Sequence, residues 1–115
     1  MEKDCLEELF EGLEGVTVRG MFGGWGVYRR GLMFGLMSGG VLYLKTDGEN
    51  LSDFTDKGLG PFQYSRSGKT VSLSFHRAPE EVLDDPELAA EWGMRAFRAA
   101  ERSASAENLR PGRRK

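Results

Sequence analysis

Residues 25–46 read WGVYRRGLMFGLMSGGVLYLKT, three short apolar runs parted by Gly31 and by Gly39-Gly40. Each run is too short for a stable helix, and the breaks between them leave room only for tight turns. Gly-Gly between apolar runs signals a hairpin, because a type I′ turn needs positive φ at both central residues. Strands joined that closely pair antiparallel, since a parallel crossover takes a dozen residues or more. The stretch therefore predicts a meander. VTVRG (16–20) just before it is β-branched and is either a strand or the lead-in to one, and the segment is expected to hold three strands.

The flanks fill in the rest. Leu6, Leu9, Phe10 and Leu13 recur at helical spacing, so residues 3–13 are expected as a helix closed by Gly15. ENLSDFTDK (49–57) reads as a short helix ended by Gly58. FQYSR (62–66) and TVSLSFHR (70–77) alternate around Ser67-Gly68, a second hairpin. Asp85-Pro86 sets an N-cap before a first-turn proline, and Leu88, Trp92, Ala96 and Ala99 carry an apolar stripe to about residue 102. The expected fold is α+β: a two-layer antiparallel sheet with helices, in the order α-β(3)-α-β(2)-α. Residues 1–103 are expected as a single domain and 104–115 as a basic, flexible tail. A chain of 115 residues buries roughly two-thirds of its unfolded surface, enough for one core without disulfides.

The glycines of GMFGGWGVYRRGLMFGL (20–36) invite a phosphate-loop reading. Their spacing misses G-x-G-x-x-G, which would need glycine where Arg29 stands. A phosphate loop also hands over to a helix whose N-terminus holds the anion, whereas WGVYRR reads as strand. These glycines are expected to permit bends and close crossings. SGKT (67–70) resembles the end of a nucleotide-binding loop, but Gln63 stands at the required glycine and a strand follows. Ser72, Ser74 and His76 share a strand face opposite Val71, Leu73 and Phe75, and are expected as a polar outward face without an orienting carboxylate. One cysteine and one histidine cannot make a zinc site unaided. The residues predict no catalytic group, no cofactor and no metal.

Charge is uneven. Residues 1–94 hold 9 Lys/Arg against 16 Asp/Glu, whereas residues 95–115 hold 7 against 2. Arg98, Arg102, Arg110, Arg113, Arg114 and Lys115 are the candidate nucleic-acid contacts, since such cations gain affinity by releasing counterions from phosphates. The acidic remainder and the lack of aromatics among them limit this to weak, salt-sensitive, non-specific binding. No apolar run approaches the ~18 residues of a membrane span. The acidic N-terminus is no secretory signal, and the lone Cys5 fits a reducing compartment, so a cytoplasmic location is expected.

In LMFGLM both strand faces are apolar, with Leu32, Phe34 and Leu36 on one and Met33 and Met37 on the other. A two-layer domain covers one sheet face and leaves the other open. Met33, Met37 and Tyr43, with Tyr64 as a neighbour, are therefore the candidate partner or homodimer surface, unless the last helix crosses them.

MFGGWGVYRRGLMFGL, LYLKTD and GLGPFQYSRSGKTVSLSFHRAPEEVLDDPELAAEW resemble, in order and over residues 3–97, the N-terminal domain of the TfoX (Sxy) family of bacterial competence regulators. The resemblance implies the same α-β(3)-α-β(2)-α fold and a non-enzymatic regulatory role, with transcription controlled through a protein partner such as a transcription factor. It supplies no catalytic residues. In longer members a second, helical domain follows, and here the last helix is followed by only about a dozen residues. The alternative is a small-molecule-binding domain or enzyme using a pocket near Phe22 and Trp25.

Overall fold

The computed structural model describes residues 1–21 and 23–109. Helix α1 (Lys3–Leu9) leads into four strands, β1 (Val16–Met21), β2 (Gly24–Arg29), β3 (Leu32–Ser38) and β4 (Val41–Lys45). Helix α2 (Leu51–Thr55) follows, then the hairpin β5 (Pro61–Arg66) and β6 (Lys69–Arg77), a 3₁₀ turn (Glu80–Asp84) and helix α3 (Pro86–Leu109). The strands form one antiparallel sheet in the order β1-β2-β3-β4-β6-β5. This is the α+β class read from the sequence.

Local chemistry explains the joints. Gly39 and Gly40 adopt φ of 59° and 78°, and Ser67 and Gly68 adopt 52° and 77°, the paired positive values of tight hairpin turns. Asp85 caps α3, its Oδ1 accepting from the N–H groups of Glu87 and Leu88 at 3.1 and 3.2 Å. Pro86 opens that helix at no cost, because a first-turn N–H has no intrahelical acceptor.

The helices cover one face of the sheet. Leu6, Leu9, Phe10 and Leu13 from the N-terminal segment, Phe54 from α2, and Ala89, Trp92, Ala96 and Phe97 from α3 pack on Val18, Val27, Phe34, Leu42 and Leu44. Phe34 sits at the centre, edge-on to Phe10 at 5.5 Å and to Phe97 at 6.4 Å. Such pairs add about 0.5–1.5 kcal/mol each beyond the area they bury.

Three expectations need correction. VTVRGM is a strand in its own right, so the meander has four strands: its N–H and C=O groups pair from Val16↔Arg29 to Met21↔Gly24. The last helix does not stop near residue 102 but runs to Leu109; Ser103 and Ala104 are half-buried, so some packing continues beyond the regular stripe. Third, the face assignment within LMFGLM changes midway. The β2–β3 register passes from Val27↔Gly35 to Tyr28↔Met33, which leaves Phe34 unpaired in a bulge. One extra residue reverses the alternation beyond it. Leu32, Phe34 and Met37 thus reach the helix side, and Met37 is 4% exposed there. Met33 and Leu36 point to the other face.

Candidate functional site: the second apolar face of the sheet

On the opposite face lies a second apolar cluster, and every one of its residues comes from a strand. Leu36, Phe62 and Phe75 are buried, and Met21, Met33, Tyr43, Tyr64 and Leu73 pack half-exposed around them. Strand alternation places them. On β4, Leu42 and Leu44 go to the helices while Tyr43 turns away; on β6, Phe75 and Leu73 turn away while His76 goes to the helices.

Gly26 forms part of the floor. A Cβ there would stand 2.7 Å from Met21 Sδ and 3.0 Å from Met33 Sδ, so the absence of a side chain lets both thioethers close over the strand. Tyr28 closes the group, its hydroxyl donating to Met21 Sδ at 3.6 Å. Tyr43 meets Phe62 edge to face at 5.0 Å. Two cations lie over rings of this face, Arg19 above Tyr28 at 4.7 Å and Lys45 above Phe75 at 5.4 Å. Partial burial pulls the Lys45 ammonium below its ordinary pKa, and nearby Asp47 opposes that shift.

The model of the TfoX N-terminal domain matches residues 8–100, which take in all six strands and most of the helical layer. The chain belongs to the TfoX N-terminal domain family. No curated protein matches it.

Within this TfoX N-terminal domain, the candidate surface residues divide. Met33 and Tyr43 lie together in the second cluster with Tyr64, but Met37 is in the helix-side core. Leu36 takes the place expected for Met37, and Met21, Phe62, Leu73 and Phe75 complete a surface that strand-by-strand reading did not assemble. The pairing of β6 with β4 brings in Phe62, Leu73 and Phe75, and that of β1 with β2 brings in Met21; no local pattern announces either.

The serine–histidine face of β6 also lies differently from expectation, on the helix side. Ser72 and Ser74 are exposed there, and His76 is half-buried beside the Phe54 ring. His76 Nδ1 is hydrogen-bonded to Thr46 Oγ1 at 3.1 Å, and burial lowers its pKa. Ser72 Oγ accepts from the Gln63 amide at 3.1 Å. Asp47 lines the same hollow, yet its carboxylate is held by Arg102 and does not orient the imidazole.

Of the basic candidates, Arg98 is exposed on α3. Arg102 is paired with Asp47 and stands 3.4 Å from Glu49. Arg110, Arg113, Arg114 and Lys115 lie outside the described residues. So does Phe22; its expected companion Trp25 is half-buried against the helix-side core. Among the described residues no helix is long and apolar enough to cross a membrane.

Proposed function

We propose that this TfoX N-terminal domain is a non-enzymatic regulatory module that works by holding a protein partner, and that it serves transcriptional control through that partner. The observation that carries the reading is the second apolar cluster. A sheet face bearing Met21, Met33, Tyr43, Tyr64 and Leu73 half-exposed, with no helix of the described residues in its cluster, is the kind of contiguous apolar patch that partners cover. Methionines suit that use, because an unbranched thioether adapts to different contacts. Family membership supports the regulatory side, and a cytoplasmic, bacterial setting fits it.

The test is affinity capture from the native cell with the tagged full chain, beside Met33→Glu and Arg98→Glu. The reading expects a partner that is retained by Arg98→Glu and lost by Met33→Glu, with both variants showing wild-type circular dichroism. A partner held equally well by folded Met33→Glu would place the contact elsewhere and end this assignment.

A further inference from the structure

The chain carries 18 acidic residues, and none lies within 15–46 or 57–79, the two windows that contain every strand. Asp and Glu are confined to the helices and the segments that flank them. The strands do carry cations. Arg29 turns into the helix-side core, whereas strand alternation and register put Arg19, Lys45, Arg66, Lys69 and Arg77 on the face of the second cluster. Arg77 stands opposite Tyr43, and Arg66 and Lys69 end the β5–β6 hairpin. The molecule is therefore polarised across its thickness, acidic on the helical layer and basic on the bare sheet. A net charge of -2 conceals this completely.

We propose that the face of the second cluster docks an amphipathic helix of the partner protein, with an apolar stripe bordered by Asp and Glu; this rests on the protein-partner reading above. The arrangement of a methionine-rich apolar centre inside a cationic margin is that of a protein interface, with a hydrophobic middle and a polar rim. The dimensions agree. Six strands spaced about 4.8 Å apart span about 24 Å, the length of a helix of about 16 residues. On the opposite face the sheet already seats a helix, α3, with Ala96 and Phe97 in the core and Phe97 edge-on to Phe34.

Two other occupants fit less well. A second copy meeting face to face across a two-fold axis would set the same five cations against one another. Single-stranded nucleic acid would match the charge, but it gains most from bases stacked on open rings. Here Phe62 and Phe75 are each only 5% exposed, and Arg19 and Lys45 occupy ring faces of Tyr28 and Phe75.

The experiment measures fluorescence anisotropy of labelled probes with the full chain. The probes are a leucine–glutamate amphipathic peptide of about five helical turns, a twin with lysine for glutamate, and single-stranded oligo(dT). The acidic peptide is expected to bind about tenfold more tightly than its twin at low salt, a gap that narrows as salt screens the rim. Arg19→Glu/Arg77→Glu should invert the order, while Arg98→Glu on the helical layer should leave it. Twins that bind equally, both sensitive to Met33→Glu, overturn the acidic-helix assignment and leave the protein-partner reading standing. Peptide binding that ignores Met33→Glu sinks both. No binding of the acidic peptide overturns the proposal. So does oligo(dT) binding that the double variant abolishes, or a concentration-dependent dimer that Met33→Glu splits.

Discussion

Asp47 and Arg102, 55 residues apart, are joined by two hydrogen bonds, Nε donating to Oδ2 at 2.5 Å and Nη2 to Oδ1 at 3.0 Å. The contact ties the β4–α2 loop to the far part of α3. The same carboxylate organises the loop, its Oδ1 accepting from the N–H groups of Glu49 and Asn50, while the Asn50 side chain donates to the Lys45 carbonyl. One residue thus sets both a turn and a long-range clamp.

Asp47→Ala should therefore lose more than a surface ion pair does. Arg102 is 35% exposed and Asp47 17%, so solvent weakens the charge contribution; the loss of turn hydrogen bonds adds to it, for about 1–2 kcal/mol in all. The Arg102 hydrogen bond holds the Asp47 carboxyl below its ordinary pKa. A depressed carboxylate stabilises the fold above the unfolded value of about 3.9, and that contribution disappears as pH falls through the folded value. Thermal melts from neutral pH down to about 3 should show wild type and Asp47→Ala converging. Parallel curves would mean that the pair carries no linkage.

His76 acts with the same sign in a higher pH window. Burial lowers its pKa, so the fold prefers the neutral ring. As pH falls below the unfolded value of about 6.5, the unfolded chain takes up a proton that the folded one resists, and stability drops. His76→Phe should flatten the melting curve between about pH 6.5 and 5, since it removes the titrating group and keeps a ring against Phe54. An unchanged slope would assign the drop to another group.

Much of the fold was legible because it depended on neighbours in sequence. Gly39-Gly40, Ser67-Gly68 and Asp85-Pro86 each act within a few residues, and each lies where the pattern put it. What escaped depends on distant strands. The bulge at Phe34 arises from how β3 meets β2, and it alone decides that Met37 is core and Leu36 faces away. Arg102 looked like a free cation until folding brought Asp47 to it. The acid-free strands were visible in the sequence, but summing charge over residues 1–94 averaged two opposite faces into one misleading number.

Gly24 makes a sharp test of the β2–β3 crossing. A Cβ at this position would lie 1.9 Å from the Met37 carbonyl oxygen and 3.3 Å from Ser38 Cα. The obstacle is backbone, which cannot swing aside as a side-chain tip can. Gly24→Ala should cost at least about 3 kcal/mol, in the range reserved for severe steric changes. Gly23→Ala next to it meets nothing within 4 Å and has only its φ of +71° to overcome. That should cost about 1 kcal/mol. Urea titration of both variants decides; equal losses would show that φ, not the crossing, selects glycine here.

Arg29 tests whether shape or charge holds a buried cation. It is 8% exposed in the helix-side core. Its Nε donates to the Glu14 carbonyl at 2.8 Å, and its guanidinium lies over the Phe97 ring with 4.6 Å to the centroid. A planar, weakly hydrated guanidinium can do both at once, whereas a lysine ammonium is compact and strongly hydrated. Arg29→Lys keeps the charge but loses the Nε donor and the stacked plane. It should lose about 1–2 kcal/mol, because desolvating the ammonium is no longer offset. Arg29→Met removes the charge, fills similar volume and leaves Glu14, which is exposed, to water. It should cost no more than the lysine variant. The order of the two urea midpoints is the measurement: a neutral Arg29→Lys beside a badly destabilised Arg29→Met would show that charge over Phe97, rather than the planar fork, is what this core requires.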